Sequence, residues 1–458
     1  MSGNAGRDRG IGLAAFDSLY AEKEEWLDQC LVLPYDFEWI AGGRSYLVVG
    51  PEGSGKTSLY RALRRELEAP PDGGTEPDRL TICWRPRPLA PELTGKDAAL
   101  AQLAHALAGC ADALLAYLAH WPEKFVAAPD DAQATLRWFV GRYLGDEAER
   151  HVQAHLRGAT SAGATLLRRL IPDARPDEWL DRAEPREVVA EVIKALRFAG
   201  PQTIYVLVGP DDLGDSTYLS REMTAFLSAL TLFESSGFVW KVIVPERLFE
   251  SVGDAAAIDR RRIELAPLRW EPEELCQIVL ARLRLATGED IQGLDQVCED
   301  PQLADWLART GGRSPRGWLQ SIRPLALRYL RRRQRVATKE WRSARRDPPP
   351  ALRFNPSEGA VTVGWRKVDD LTDVPLALFE YLYAKKGKRC SREELYYEAY
   401  LPAVEPSINP VEKEYDDKSD HLLESAILRL RQAIEPDPGA PVYVVTHRGF
   451  GYCLRDVR

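Results

Sequence analysis

Apolar and polar residues follow two different rhythms along this 458-residue chain, and the places where the rhythm switches mark its organisation. Short, nearly unbroken apolar runs occur at Ser45 to Val49, Leu80 to Trp84, Thr203 to Val208 and Phe238 to Glu246; runs of that length predict strands buried on both faces. Between them the spacing is helical. Leu59, Leu63 and Leu67 define one helix from Ser58 to Leu67, and Ser220 to Glu234 defines another. Residues of about 96–199 are rich in alanine and leucine and broken at Pro122, Pro129, Pro172 and Pro185, which predicts a long helical insertion. Strands that alternate with helices predict an α/β core with a parallel sheet. A short "RRIELAPL" segment closes this region, and helical pattern resumes from Glu271 to Leu330.

Either side of the core the text is different. Residues 1–44 are an amphipathic lead-in whose Phe16, Leu19, Tyr20 and Trp26 are available for packing. Arg331 to Pro350 is basic and then proline-rich, the end of a helix followed by a linker. Beyond it, "LRFNPSEGAVTVGWRKVDDLT" alternates like short antiparallel strands. An apolar stripe of Leu423, Ile427, Leu430 and Ile434 marks a helix, and Gly449 with Gly451 permits a closing hairpin. The expected boundaries are a lead-in over 1–44, an α/β core over 45–266, a helical lid over 267–335, a linker over 336–350 and a small α+β domain over 351–458.

Composition narrows the class. With 45% hydrophobic and 28% charged residues the chain is globular and long enough for two or three cores. No apolar run approaches a membrane span and the polar start "MSGNAGRDRG" is no signal peptide, so a cytoplasmic location without a membrane partner is expected. The seven cysteines include no C-x-x-C pair, which argues against a zinc ribbon or a disulfide framework. The excess of arginine over lysine, with abundant alanine and proline, points to a GC-rich bacterial genome. A net charge of −8 excludes chain-wide electrostatic affinity for nucleic acid and leaves only a local patch.

The first strand runs into "GPEGSGKTS", Gly50, Pro51, Glu52, Gly53, Ser54, Gly55, Lys56, Thr57 and Ser58, which contains G-x-x-x-x-G-K-[ST]. Glycines let the backbone close around an anion, the following helix offers its positive end, and the lysine neutralises terminal phosphates. This P-loop predicts ATP or ADP as ligand, with Thr57 on Mg²⁺. Hydrolysis needs a further acid at the end of a neighbouring strand. Asp211 is the candidate magnesium-side carboxylate and Asp212 the candidate orienter of water, with Asp215 in reserve. The usual form has the acids directly after four apolar residues, whereas here Gly209 and Pro210 intervene. ATP turnover to ADP and phosphate is therefore a possible activity, and a slow one.

The stretch "ARTGGRSPRGWLQSI" resembles the second sensor of AAA+ and STAND-type ATPases, a resemblance that spans Phe16 to Leu330 through the P-loop, the acidic strand end and "IELAPLRWEPEEL". It implies that Arg316, or else Arg313, reaches from the lid to the phosphates, that Lys56, Asp212 and Arg316 form the catalytic set, and that nucleotide state governs self-association. Arg247 stands where such proteins sense the γ-phosphate, and Arg260, Arg261 and Arg262 stand where a finger toward a neighbouring subunit would lie; surface positions are the plainer reading of both. His151 and His155, four apart, lack a third ligand and are expected on an exposed helix face.

From Ala351 to Leu454 the chain resembles the winged-helix output domain of OmpR/PhoB-type response regulators. The residues that carry it are "DDLTDVPLALFEYLYAKKGKRCSREELYYEAY" and "SAILRLRQAIEPDPGAPVYVVTHRGFGYCL". The resemblance implies DNA as partner and Arg429, Arg431 and Arg448 as contacts. Against it, Pro402 to Arg458 carries ten acids and seven bases, with Glu412, Glu414, Asp416, Asp417, Asp420 and Glu424 around the reading helix. Two readings stay open at this point: an ATP-dependent DNA-binding switch, and a STAND-like scaffold whose winged helix binds a protein partner.

Overall fold

The structure, a computed structural model, describes residues 11–69, 77–170, 177–209, 219–232, 236–252, 263–345, 349–369, 371–405 and 415–456. Its chain divides into two compact units, one of Leu33–Arg269 and one of Met1–Val32 with Trp270–Arg458.

In the first unit a short helix α1 (Phe37–Ala41) leads into β1 (Tyr46–Gly50), α2 (Lys56–Glu68) and β2 (Arg79–Cys83). Helices α3 (Gly95–His120), α4 (Glu123–Ala127), α5 (Asp130–Leu144), α6 (Ala148–Leu156), α7 (Ser161–Leu170) and α8 (Pro185–Ala199) form the insertion. The core then resumes with β3 (Thr203–Val208), α9 (Leu219–Leu232), β4 (Phe238–Pro245), α10 (Glu246–Val252) and β5 (Glu264–Pro267). Within the described residues the strands make one five-stranded sheet in the order β2-β3-β4-β1-β5, every pair parallel. The near-continuous apolar runs follow from this topology, because helices cover the strands and leave few polar positions. All the strands therefore end on one edge, and Gly50 lies beside Pro245 there.

One buried polar group interrupts the sheet interior. Lys241 on β4 is fully buried, its Nζ donating to the carbonyls of Gly42 and Arg44 at 2.6 Å each and sitting 5.1 Å from the Tyr46 ring. Burial lowers its pKa to about 7.

The insertion overturns one expectation. Helix α3 is long and apolar enough, by length and composition, to cross a membrane, although no such run was anticipated; its frequent alanines disguise it. Leu103, Leu107, Leu114 and Leu118 of α3 lie in the same apolar cluster as the sheet, and 56% of its most apolar window is buried.

In the second unit α11 (Pro272–Thr287), α12 (Leu303–Gly311), α13 (Pro315–Arg332) and α14 (Thr338–Ala344) precede the C-terminal domain. The lead-in packs here: Phe16 is fully buried, and Glu24 forms a buried two-point ion pair with Arg282 at 2.8 and 2.6 Å. Residues 336–350, read as linker, contain α14, whose Trp341 is fully buried against Trp306 at 5.0 Å. Three arginines in and beside it are paired: Arg332 with Glu340, Arg342 with Asp300 and Arg345 with Asp437.

The C-terminal domain opens with an antiparallel sheet of β6 (Leu352–Asn355), β7 (Ala360–Val363) and β8 (Arg366–Val368). Helix α15 (Asp373–Ala384), strand β9 (Cys390–Ser391) and the run of α16 (Arg392–Leu395), a π-helical turn over Tyr396–Tyr400 and α17 (Leu401–Val404) follow. A long helix α18 (Asp417–Ile434) and the hairpin of β10 (Val444–His447) and β11 (Gly451–Leu454) close it, with β11 pairing to β9. Leu423, Ile427, Leu430 and Ile434 are all buried in the domain's core, as the stripe requires.

Candidate functional site

The chain from Gly50 to Ser58 turns from β1 into α2 through two residues with positive φ, Gly53 at 75° and Gly55 at 88°, a backbone that side-chain-bearing residues rarely adopt. Lys56 opens the helix, and its Nζ bridges the carbonyls of Gly50 (3.0 Å) and Pro51 (2.6 Å), so the ammonium lies across the loop. A β-carbon on Gly50 would come within 2.5 Å of Ser54 Oγ and 3.2 Å of Leu268, which shows how closely the loop is folded. Thr57 is the second residue of α2 and Ser58 the third, while Pro51 and Glu52 are exposed on the outer side. A loop of this shape, with a lysine across its mouth and a helix N-terminus beneath it, has the features that hold a polyphosphate.

Asp211, Asp212 and Asp215 lie outside the described residues, as do Pro210 and Arg260 to Arg262. What precedes the acids is described. Gly209 follows β3 directly, and a β-carbon there would sit 2.7 Å from the ring of Tyr60 on α2. The close approach of Tyr60 on α2 favours glycine here, which explains a residue that looked like an irregular spacer in the sequence. Arg247 is exposed in the first turn of α10.

Arg316 stands near the start of α13. Its Nε donates to the carbonyl of Leu19 at 3.2 Å, and its guanidinium lies 4.5 Å from the centre of the Tyr20 ring. The lead-in therefore orients this side chain, a partner the sequence did not indicate. Arg313 is exposed. His151 and His155 differ from expectation: instead of an open helix face, His151 Nδ1 and His155 Nε2 both reach Asp112 Oδ1 on α3, at 2.7 and 2.8 Å. Burial pushes the Asp112 carboxyl up, and the two imidazole contacts more than offset it, leaving it below the usual range. Among the described residues no group of three or more His, Cys, Asp or Glu side chains is arranged to hold a metal ion.

Three of the acids around α18, Asp416, Asp420 and Glu424, have specific partners, while Asp417 is exposed. Asp416 caps the helix by accepting from Ser419 N and Oγ at 2.8 Å each, and these bonds hold its carboxyl below the usual range. Asp420 and Glu424 both bind the guanidinium of Arg392 on α16, Glu424 at 2.8 Å, and Tyr415 donates to Asp420 as well. Glu412 and Glu414 lie outside the described residues. One turn around α18, at helical spacing, stand Lys418, His421, Leu422, Ser425, Arg429 and Gln432; all six are exposed, and none is an acid. Arg431 faces the hairpin instead, donating to Val444 O at 2.7 Å and Thr446 Oγ1 at 2.7 Å. Arg448 is exposed between β10 and β11.

The residue that fixes the hairpin to α18 is one the sequence reading missed. Glu435, fully buried just past the helix, accepts from the amides of Val442, Tyr443 and Val444 at 2.7 to 3.1 Å. Burial pushes its carboxyl up against the pull of those amides. An acid followed by three prolines, "EPDPGAP", was the available signal.

With a helix that carries an exposed stripe free of acids, and a two-stranded wing beside it, the C-terminal domain is a winged helix of the DNA-binding output type. Residues 367–454 match the family described as Transcriptional regulatory protein, C terminal. No curated protein matches the chain.

Proposed function

We propose that this chain is a nucleotide-responsive transcription regulator, in which ATP with Mg²⁺ at the P-loop sets the state of a winged helix that binds DNA. The observation that carries the DNA output is the exposed stripe Lys418, His421, Leu422, Ser425, Arg429 and Gln432, whose donors and apolar tips suit major-groove base edges and thymine methyls. The acids that favoured a protein partner instead lose much of that weight, since Arg392 holds Asp420 and Glu424.

The nucleotide half rests on the closed loop from Gly50 to Ser58 and on the lysine across it. Bound ATP would supply the concentrated negative charge and the scissile γ-phosphoryl bond. Lys56 would leave its two carbonyls to neutralise the terminal phosphates, and Thr57 with Asp211 would hold the magnesium. Register supports the acidic assignment: Val208 lies beside Val242 whereas Gly50 lies beside Pro245, three residues further along β4. Acids placed directly after Val208 would fall short of the loop, so the Gly209–Pro210 spacer is what the offset calls for. Asp212 would then orient water, Arg316 would respond to the γ-phosphate, and self-association in the ATP state would bring winged helices together on DNA.

Mobility shift with duplex DNA, in ADP and in a slowly hydrolysed ATP analogue across a salt series, tests the reading. Retardation that strengthens with the ATP analogue and weakens steeply with salt is expected. Absence of retardation at low salt in both nucleotide states would contradict it.

A further inference from the structure

The turn between β7 and β8 places Trp365 and Arg366 of the winged-helix domain against the turn between α12 and α13. Trp365 N donates to Thr310 O at 2.8 Å, and its indole N–H donates to Gln320 Oε1 at 2.6 Å. Arg366 bridges two elements: Nε donates to Arg309 O on α12 at 2.8 Å, and Nη2 donates to Ala433 O in the last turn of α18 at 2.5 Å. Arg309 returns the contact by donating to Gln432 O at 3.2 Å. The last carbonyls of a helix have no partner within it, and cations there also suit the helix dipole. The reading helix is thus capped by two arginines, one on α12 itself and one bonded to it.

The packing is as close as the hydrogen bonding. A β-carbon on Gly317 would lie 2.7 Å from Trp365 Cβ, and one on Gly312 would lie 2.9 Å from Arg366 Cα. Gly312 and Gly317 of "GGRSPRG" therefore admit the winged-helix turn, a role independent of any nucleotide. A second tie stands apart from this one: Arg345, 3% exposed, bonds Asp437 at 2.7 Å, and Tyr443 OH donates to Pro350 O at 2.6 Å.

We propose that Trp365 and Arg366 are positioning residues of a rigid joint that makes α12, α13 and the DNA-reading helix α18 one lever, so that displacement of the lid turns the reading helix instead of being absorbed over residues 336–350. The consequence for regulation rests on the nucleotide-switch reading above; the rigidity of the joint does not.

Two measurements on the full chain separate these. Spin labels carried by unnatural amino acids at Arg323 on α13 and His421 on α18, both exposed, report the joint directly. One narrow distance, equal in ADP and in the ATP analogue, is expected, and the Trp365→Ala/Arg366→Ala double variant should broaden it. A nucleotide-dependent distance in the unaltered chain, or a distribution left narrow in the double variant, overturns the joint. The ratio of DNA affinities in the two nucleotide states should exceed tenfold in the unaltered chain, fall to within twofold of one in the double variant, and lie between these in Arg366→Lys, with nucleotide affinity unchanged throughout. A tenfold ratio kept by the double variant overturns the joint alone; a ratio of one in the unaltered chain overturns the switch reading and the coupling with it.

Discussion

The loop from Gly50 to Ser58 and the reading helix are both proposed as sites for phosphate-bearing partners, yet they are built in opposite ways. The loop from Gly50 to Ser58 is nine consecutive residues whose shape comes from backbone conformation and from a lysine bonding its own loop. The binding face of α18 is made by subtraction. Asp420 and Glu424 are withdrawn by Arg392, the helix's end is held by Arg309 and Arg366, and its hairpin is fixed by Glu435, residues drawn from four elements and loops. A contiguous site is written in the text that forms it, while a subtractive one depends on pairings that only the fold brings about.

The sharpest way to break this contrast is Lys56→Ala. Removing the one cationic side chain of a backbone-built site should weaken nucleotide binding by at least about 100-fold, on the scale of roughly 3 kcal/mol for a charge-assisted contact, measured by titration with a fluorescent ATP analogue. Unchanged binding would mean that the loop is not the nucleotide site. Glu435→Ala comes next, because it strands three buried amides. Unfolding in urea should show a loss of roughly 3 kcal/mol confined to the C-terminal domain, with nucleotide binding intact.

Arg392→Ala should act on function more than on stability, since the pair is partly solvated. Freed Asp420 and Glu424 would repel phosphate, and DNA affinity should fall about tenfold, or roughly 1.4 kcal/mol; Arg392→Lys should recover part of it. A further effect is electrostatic and lies in the other unit. Lys241 titrates near 7 in the folded chain against an ordinary 10.5. The unfolded chain therefore binds the extra proton between those values, and this group makes stability rise with pH across that window. The stability of the unaltered chain relative to Lys241→Met should climb from pH 7 to 10, and a flat difference would show that the buried lysine keeps its proton.

The same contrast explains what the sequence disclosed. Strand and helix positions in both units were legible from apolar rhythm, with β3 at Thr203–Val208 as expected and the strands beside it within about a residue. The turn from β1 into α2 was legible because Gly53 and Gly55 stand where the backbone needs a positive φ. Helix α14 was hidden, because a basic, proline-ended stretch reads as solvated linker unless Asp300 is known to face it. The count of acids around α18 misled for the same reason: charge was visible and its partner was not. Gly209 looked irregular until Tyr60 was seen above it.

Nucleotide-dependent DNA binding by the intact chain tests the account most directly. In a salt series on duplex DNA, affinity in the ATP analogue should exceed that in ADP by more than tenfold, and Lys56→Ala should abolish the difference while retaining the weaker binding. Equal affinity in the two nucleotide states, or a difference that survives Lys56→Ala, would contradict it.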